Sequence, residues 1–386
     1  TATLYAHTSA VTGVAWSPDG LQFVTCSMDN TARIFSFDGT WRATAALKKH
    51  TGHVSDCDWS VTSRVVICSL DLRAYIWEMD LMGSWRVLEE LVHHTGEFIS
   101  ACQWSPDGSK VATGSGVAAQ ERNVPAMHLW QIDDVKPSNS LFDTLTLPEQ
   151  VFTVGWSPDG RQVVVGSLEK AYIWQSGTGG RPTILDGHPT NVISVAWSLD
   201  GRHIATCSES TIYLWEQSDG AWNILQLLDA HQDWVLSVAW SRKGQLLSGS
   251  LDHTARIWTR LPGGTLWNQS ALLEHQDVIF SVAWSPCGNI IATGGTDTVG
   301  RIWRQASLDM SDWVLTETLV GHEDAIFDVE WSPDGQKVLT GSYDKTACVW
   351  LKDAEEWKCA TALRHTGVVK SVAWSPDNSK ILTGSY

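Results

Sequence analysis

One phrase returns along the chain at a nearly fixed interval. It reads VTGVAWSPDG at 11–20, ACQWSPDG at 101–108, FTVGWSPDG at 152–160, ISVAWSLDG at 193–201 and LSVAWSRKG at 236–244. It continues as FSVAWSPCG at 280–288, FDVEWSPDG at 327–335 and KSVAWSPDN at 370–378, with a degenerate copy, VSDCDWSVTS, at 54–63. The tryptophans of the phrase are Trp16, Trp59, Trp104, Trp156, Trp197, Trp240, Trp284, Trp331 and Trp374, spaced by 43, 45, 52, 41, 43, 44, 47 and 43 residues. A unit of this length cannot bury its apolar face alone and must stack on copies of itself. A period near 44 residues is that of a propeller blade with four strands.

Within each unit the residues read as strands. The SVAW stretch alternates, and SPDG follows as a tight turn with Pro and Gly where a turn accepts them. A short apolar strand such as KVLTGS comes next, then a polar turn such as YDKT, then a third strand such as ACVW. A fourth strand is often opened by another tryptophan: WRATAAL, WRVLEEL, WNILQLL, WVLTETL, WKCATAL. No segment sustains a helical period, so the expected class is all-β, a propeller of four-stranded antiparallel blades. Of 23 tryptophans, nine lie on first strands, seven on third strands and six open fourth strands, which leaves only Trp234 without a packing role.

This pattern resembles the WD-repeat family over essentially the whole chain. The resemblance implies a hydrogen-bonded set in each blade: a His before the first strand, a Ser or Thr in the second, an Asp in the next turn and a Trp in the third. The best matches are His231, Ser248, Asp252 and Trp258; His275, Thr293, Asp297 and Trp303; and His322, Thr340, Asp344 and Trp350. Such a set leaves no buried polar group unpaired and ties loop to strand. The other units depart from it. The first ends in Phe35, the second holds Ile67 in the hydroxyl position, and the third lacks the Asp. The fourth lacks the His, and Glu169 and Glu209 sit in altered turns of the fourth and fifth, so the middle of the chain is expected to be looser.

The domain reading is a single propeller over residues 1–386, with eight complete repeats and a truncated ninth from about 365. Eight blades fit the count better than seven. A further possibility is that the extra unit belongs to a second propeller in a longer parent chain.

A net charge of −16 argues against binding nucleic acid, which is held mainly by Lys and Arg, and against docking on an anionic membrane. No apolar run is long enough for a transmembrane helix. The eight cysteines form no CxxC pair and read as reduced thiols of a cytoplasmic protein (or a nuclear one), with a disulfide framework or zinc site as the other reading. The recurring His, Ser or Thr and Asp superficially suggest a hydrolase triad. A catalytic set is needed once, however, whereas this one recurs with a Trp attached. No GxSxG, HExxH, P-loop or dinucleotide motif appears. The five histidines outside the repeat anchors share no metal-ligand spacing. The expectation is therefore no catalytic residue, no metal, no cofactor and no small-molecule substrate.

The expected function is a non-catalytic scaffold that binds other proteins or peptides and assembles a multiprotein complex. Loops held by rigid strands carry recognition. The candidates are the residues beside the anchors: Trp234 and Leu251, which share one unit, and Tyr343, Met28, Leu70 and His53 in equivalent places. The interrupted stretch 116–150 is a second candidate. Residues 41–115, with HTGHVSDCDW, CSLDLRAYIW, GSWRVL and WSPDGSKVATGSG, also resemble the propeller subunit of the branched-actin nucleating complex, which implies actin binding and a cytoskeletal role. EEWKCATAL and VKSVAWSPDNSK are similar to the propeller of cytosolic iron–sulfur assembly.

Overall fold

The computed structural model describes residues 6–38, 40–92, 98–115, 126–132, 141–146, 151–175, 182–261, 263–306, 313–353, 356–365, 367–375 and 378–385. The chain is an all-β, eight-bladed propeller. Each blade is an antiparallel sheet of four consecutive strands, and the blades span residues 11–47, 54–92, 99–146, 151–186, 194–229, 235–274, 279–319 and 326–364. A two-stranded sheet, Val369–Trp374 with Ile381–Ser385, stands between blade eight and blade one. The first strand of each blade is innermost, so the first strands together line a central channel.

The repeated phrase explains the geometry. In blade one the Ser17 hydroxyl donates to Asp19 Oδ1 at 2.6 Å and accepts the Gln22 amide at 2.9 Å. Gly20 closes that turn at a φ of 66°, which favours glycine. The tryptophans then pack blade on blade. All six that open fourth strands meet the first-strand tryptophan of their own blade, as in Trp59–Trp85 at 5.6 Å and 89° or Trp331–Trp357 at 5.8 Å and 84°. Edge-to-face pairs of this kind add about 0.5–1.5 kcal/mol each beyond the area they bury.

Seams between blades come in two kinds. In one, the first-strand indole donates to a backbone carbonyl of the preceding blade: Trp197 to Gly155, Trp240 to Ala196 and Trp284 to Ala239, each at 3.1 Å. Trp16 reaches Ala373 in the same way at 3.4 Å. In the other kind, carboxylates on the first strand accept amides of the next blade. Asp56 takes Cys102 N–H at 3.1 Å and Asp58 takes Trp104 N–H at 2.8 Å. Asp328 and Glu330 do the same for Val372 at 2.9 Å and Trp374 at 2.7 Å. Burial pushes Asp56 and Glu330 up to about 7.

All eight cysteines are free; only Cys287 is exposed and Cys359 half-buried. Among the described residues no helix is long and apolar enough to cross a membrane, and no cluster of three His, Cys, Asp or Glu side chains is arranged to hold a metal.

Candidate interaction surface

The anchor histidines and the turn aspartates gather at one end of the blades, here called the loop face. Two facts of backbone geometry build it. First, the turn between second and third strands is bonded to the loop that precedes the first strand: Met28 N–H to Ala10 O, Leu70 to His53, Leu251 to Trp234 and Tyr343 to Ala325, at 2.8–2.9 Å. Second, the first strands carry a β-bulge at their start. The register slips between Val11 and Gly13, Val54 and Asp56, Val151 and Thr153, Val235 and Ser237, Ile279 and Ser281, Ile326 and Asp328, and Val369 and Ser371. A bulged residue has no partner in the ladder and its side chain is re-aimed.

The anchoring sets hold the loops. In blade six His231 Nδ1 meets Asp252 at 2.8 Å, Nε2 meets Ser248 Oγ at 2.8 Å, and the Trp258 indole donates to Ser248 at 3.0 Å. The donor count fixes the direction of the chain: Trp258 N–H gives to Ser248, Ser248 O–H gives to His231 Nε2, and His231 Nδ1–H gives to Asp252. This requires a neutral imidazole, and burial pushes His231 down to about 4. Burial opposes the charge on Asp252, yet hydrogen bonds from Thr254, the Gln232 amide and His231 hold its carboxyl at about 2. Blade eight repeats the set through His322, Asp344, Thr340 and Trp350, at 2.7–2.8 Å.

Blade seven is different in a way that the spacing did not reveal. The buried Arg301 guanidinium stands between the expected partners, 2.8 Å from His275 Nδ1 and 2.6 Å from Asp297. The imidazole and carboxylate are thereby held 3.7 Å apart. His275 Nδ1 must accept from Arg301, so its proton sits on Nε2, and Thr293 Oγ accepts from both the ring and the Trp303 indole at 2.8 and 3.0 Å. Arg301 follows the turn aspartate by four residues, as Arg256 does in blade six. The same spacing thus leaves the His–Asp contact intact in blade six and splits it in blade seven.

The candidate contact residues fall in two groups. Trp234 (37% exposed) and Tyr343 (50%) stand out from blades six and eight, while Leu251 is half-buried against the Trp234 loop. Met28, His53 and Leu70 are all exposed and lie together on blades one and two, where the His53 ring bonds the Met28 carbonyl across the seam. Residues at the bulges were not singled out by sequence. Phe280 stacks on Phe327 at 5.0 Å, Phe327 meets Tyr343 at 6.0 Å, and Lys370 stands 5.3 Å over Phe327. At the same position in blades one and two, the Thr12 and Ser55 hydroxyls instead donate to the next blade's carbonyls, Val54 O at 2.8 Å and Ile99 O at 2.6 Å. Within the stretch 116–150, residues 116–125, 133–140 and 147–150 lie outside the described residues, as does His94.

This geometry coincides with similarity to known proteins. The sequence matches the family described as WD domain, G-beta repeat over residues 1–36, 40–78, 85–116, 179–216, 222–259, 267–304, 313–350 and 357–386. The chain belongs to the WD-repeat family of β-propellers. These matches are staggered against the sheets, so each full blade joins three strands of one match to the first strand of the next wherever consecutive matches exist. Among curated relatives, the Actin-related protein 2/3 complex subunit 1 of Schizosaccharomyces pombe is 27% identical over 164 residues, covering 41% of this chain and 41% of the relative. Subunit 1A of the same complex from Arabidopsis thaliana is 32% identical over 192 residues, covering 46% and 49%. The matched part thus spans less than half the length of these relatives. Among solved structures, Sqt1 from Chaetomium thermophilum, bound to the N-terminus of ribosomal protein L10, superposes with a TM-score of 0.68 at 17% identity, covering 86% of this chain and 94% of that one.

Proposed function

We propose that this chain is a non-catalytic scaffold that gathers other proteins or peptides on its loop face. WD-repeat propellers generally bind proteins. The observation that carries the reading for this chain is the exposure of Trp234 and Tyr343 on loops pinned by complete hydrogen-bonded sets. A large aromatic held at fixed geometry loses little entropy on binding and commonly anchors an interface. The His, Ser or Thr and Asp groups are consumed in holding loops, and their recurrence around the ring serves structure rather than catalysis. Affinity capture with the full chain should recover a partner that Trp234→Ser and Tyr343→Ser both lose. Retention of every partner by the double variant defeats this assignment of the surface.

A second reading is favoured by the similarity to Actin-related protein 2/3 complex subunit 1. On this reading the chain is a propeller of an actin-nucleating assembly. Cross-linked purification of the intact protein should then bring down the other subunits of that complex, and their absence removes this reading while leaving the first in place.

A further inference from the structure

The loop face is electrically divided. On blades six to eight the loops before the first strands read LDAHQDW, LLEHQDV and LVGHEDA, and Asp229, Asp233, Glu274, Glu323 and Asp324 in them are exposed, with Asp277 half-buried. The loop between blades one and two reads LKKHTGH, and its Lys48 and Lys49 are exposed. The acidic loops adjoin Trp234, Phe280, Phe327 and Tyr343, where Lys345 and Lys370 are exposed cations outnumbered by the carboxylates, whereas the basic loop adjoins Met28, His53 and Leu70.

Three aspartates in the acidic sector are held in one way. Asp233, Asp277 and Asp324 each accept the following backbone amide on Oδ1, at 2.7, 2.8 and 2.8 Å. Their Oδ2 atoms accept no hydrogen bond among the described residues. The Asp233 and Asp324 carboxylates are therefore fixed in direction with no cationic partner among the described residues, and Asp277 has the His253 ring 3.8 Å away. Beside them the Phe280–Phe327 stack continues into Tyr343, and Lys370 already lies over Phe327. The ledge thus accommodates a cation on an aromatic face within a negatively charged border.

We propose that this ledge docks an extended basic segment of another protein. One apolar side chain of that segment lies against Phe280, Phe327 and Tyr343, and its lysine or arginine groups face Asp233, Asp277 and Asp324. Charge complementarity selects this occupant. An acidic segment would bring like charge to the loops of three successive blades, and opposite-sign steering speeds the encounter of a basic one. The proposal rests on the scaffold reading and adds the chemistry of the partner.

The test uses calorimetry on the full chain with two short synthetic peptides, one of repeating Lys-Ala-Phe and one of repeating Glu-Ala-Phe. The lysine peptide should bind at least about tenfold more tightly than the glutamate peptide at low salt, and the gap should shrink as salt rises. Asp277→Asn combined with Asp324→Asn should weaken the lysine peptide about fivefold or more. Tyr343→Ser, at an exposed site, should weaken it further, while Leu81→Ser, in the fully exposed turn between the third and fourth strands of blade two, leaves it unchanged. Phe327→Ser is read alongside a thermal melt, with Tyr343→Ser as the variant that keeps the fold. Equal binding of both peptides, lost in Tyr343→Ser, overturns the charge assignment and leaves the docking surface standing. Failure of both peptides to bind, or binding indifferent to Tyr343→Ser and to the aspartate variant, overturns the ledge as a docking site.

Discussion

Blade two and blade six part ways at the hydroxyl position of the anchoring set, and the consequences run through the whole blade. Both carry the His, the turn Asp and the third-strand Trp. In blade six Ser248 joins His231 to Trp258. In blade two Ile67 takes that place, and the His50 Nε2 and Trp77 Nε1 atoms are both buried without a partner. The His50–Asp71 half of the set survives at 3.0 Å, and Tyr75 packs on the His50 ring at 4.8 Å. Blade two also has what blade six lacks, the carboxylates Asp56 and Asp58 that grip the amides of blade three. A blade can therefore be secured internally through its hydroxyl or sideways through its seam, and the two devices are separable.

The strongest way to break the comparison is to give blade six the defect of blade two. Ser248→Ala orphans His231 Nε2 and Trp258 Nε1 together, and an unpaired buried polar group costs about 1–3 kcal/mol. Urea unfolding should show a loss of about 3 kcal/mol. No loss would mean that the hydroxyl bridges nothing of consequence.

The two devices should also respond to pH with opposite sign. His231 has its folded value pushed below the ordinary 6.5, to about 4, so its contribution is full above 6.5 and is lost as pH falls toward 4. Glu330 in the blade-eight seam is raised from 4.5 to about 7, so its contribution is full below 4.5 and is lost as pH rises through 7. The melting temperature of the wild type relative to Glu330→Gln should therefore decline by a few degrees between about pH 5 and pH 8. A gap that widens with pH contradicts the seam account.

A smaller gain is expected in the reverse direction. Ile67→Thr supplies blade two with the missing hydroxyl in exchange for two buried hydrocarbon groups, a methylene and its terminal methyl, and should add about 1 kcal/mol after that loss is counted against the pairing of two orphaned groups. Destabilisation instead would show that blade two has adapted its packing around the orphaned atoms. The smallest effect belongs to the ledge. Asp324→Asn keeps the shape of an exposed side chain and should change stability by less than about 0.5 kcal/mol, while weakening capture of a basic partner.

Much of this architecture was legible in the residues because each repeat carries its own turn and its own tryptophan. The Ser, Asp and Gly of SPDG close a turn locally, and Trp59, Trp197 and Trp331 needed only a neighbouring sheet. The ledge was only half legible. Trp234 stood out as the indole without a packing role, but Phe280 and Phe327 looked like ordinary members of alternating strands. Their outward aim comes from the bulges, which appear only when the two strands are set in register. The seam carboxylates were hidden for a related reason: VSDCDW reads as a worn copy of the repeat until Cys102 and Trp104 of the next blade are placed beside it. Arg301 was hidden because its charge acts on a histidine 26 residues away.

The seam at Trp16 and Ala373 joins residues 357 positions apart, whereas the other indole seams join residues 42–45 positions apart. Forming it demands that the eight blades between these residues already be wound into place, and closing so long a loop costs about 2 kcal/mol more than closing any of the others. Neighbouring seams close over short loops and favour assembly blade by blade, which leaves the clasp between the first blade and the sheet at 369–385 as the contact of highest closure cost.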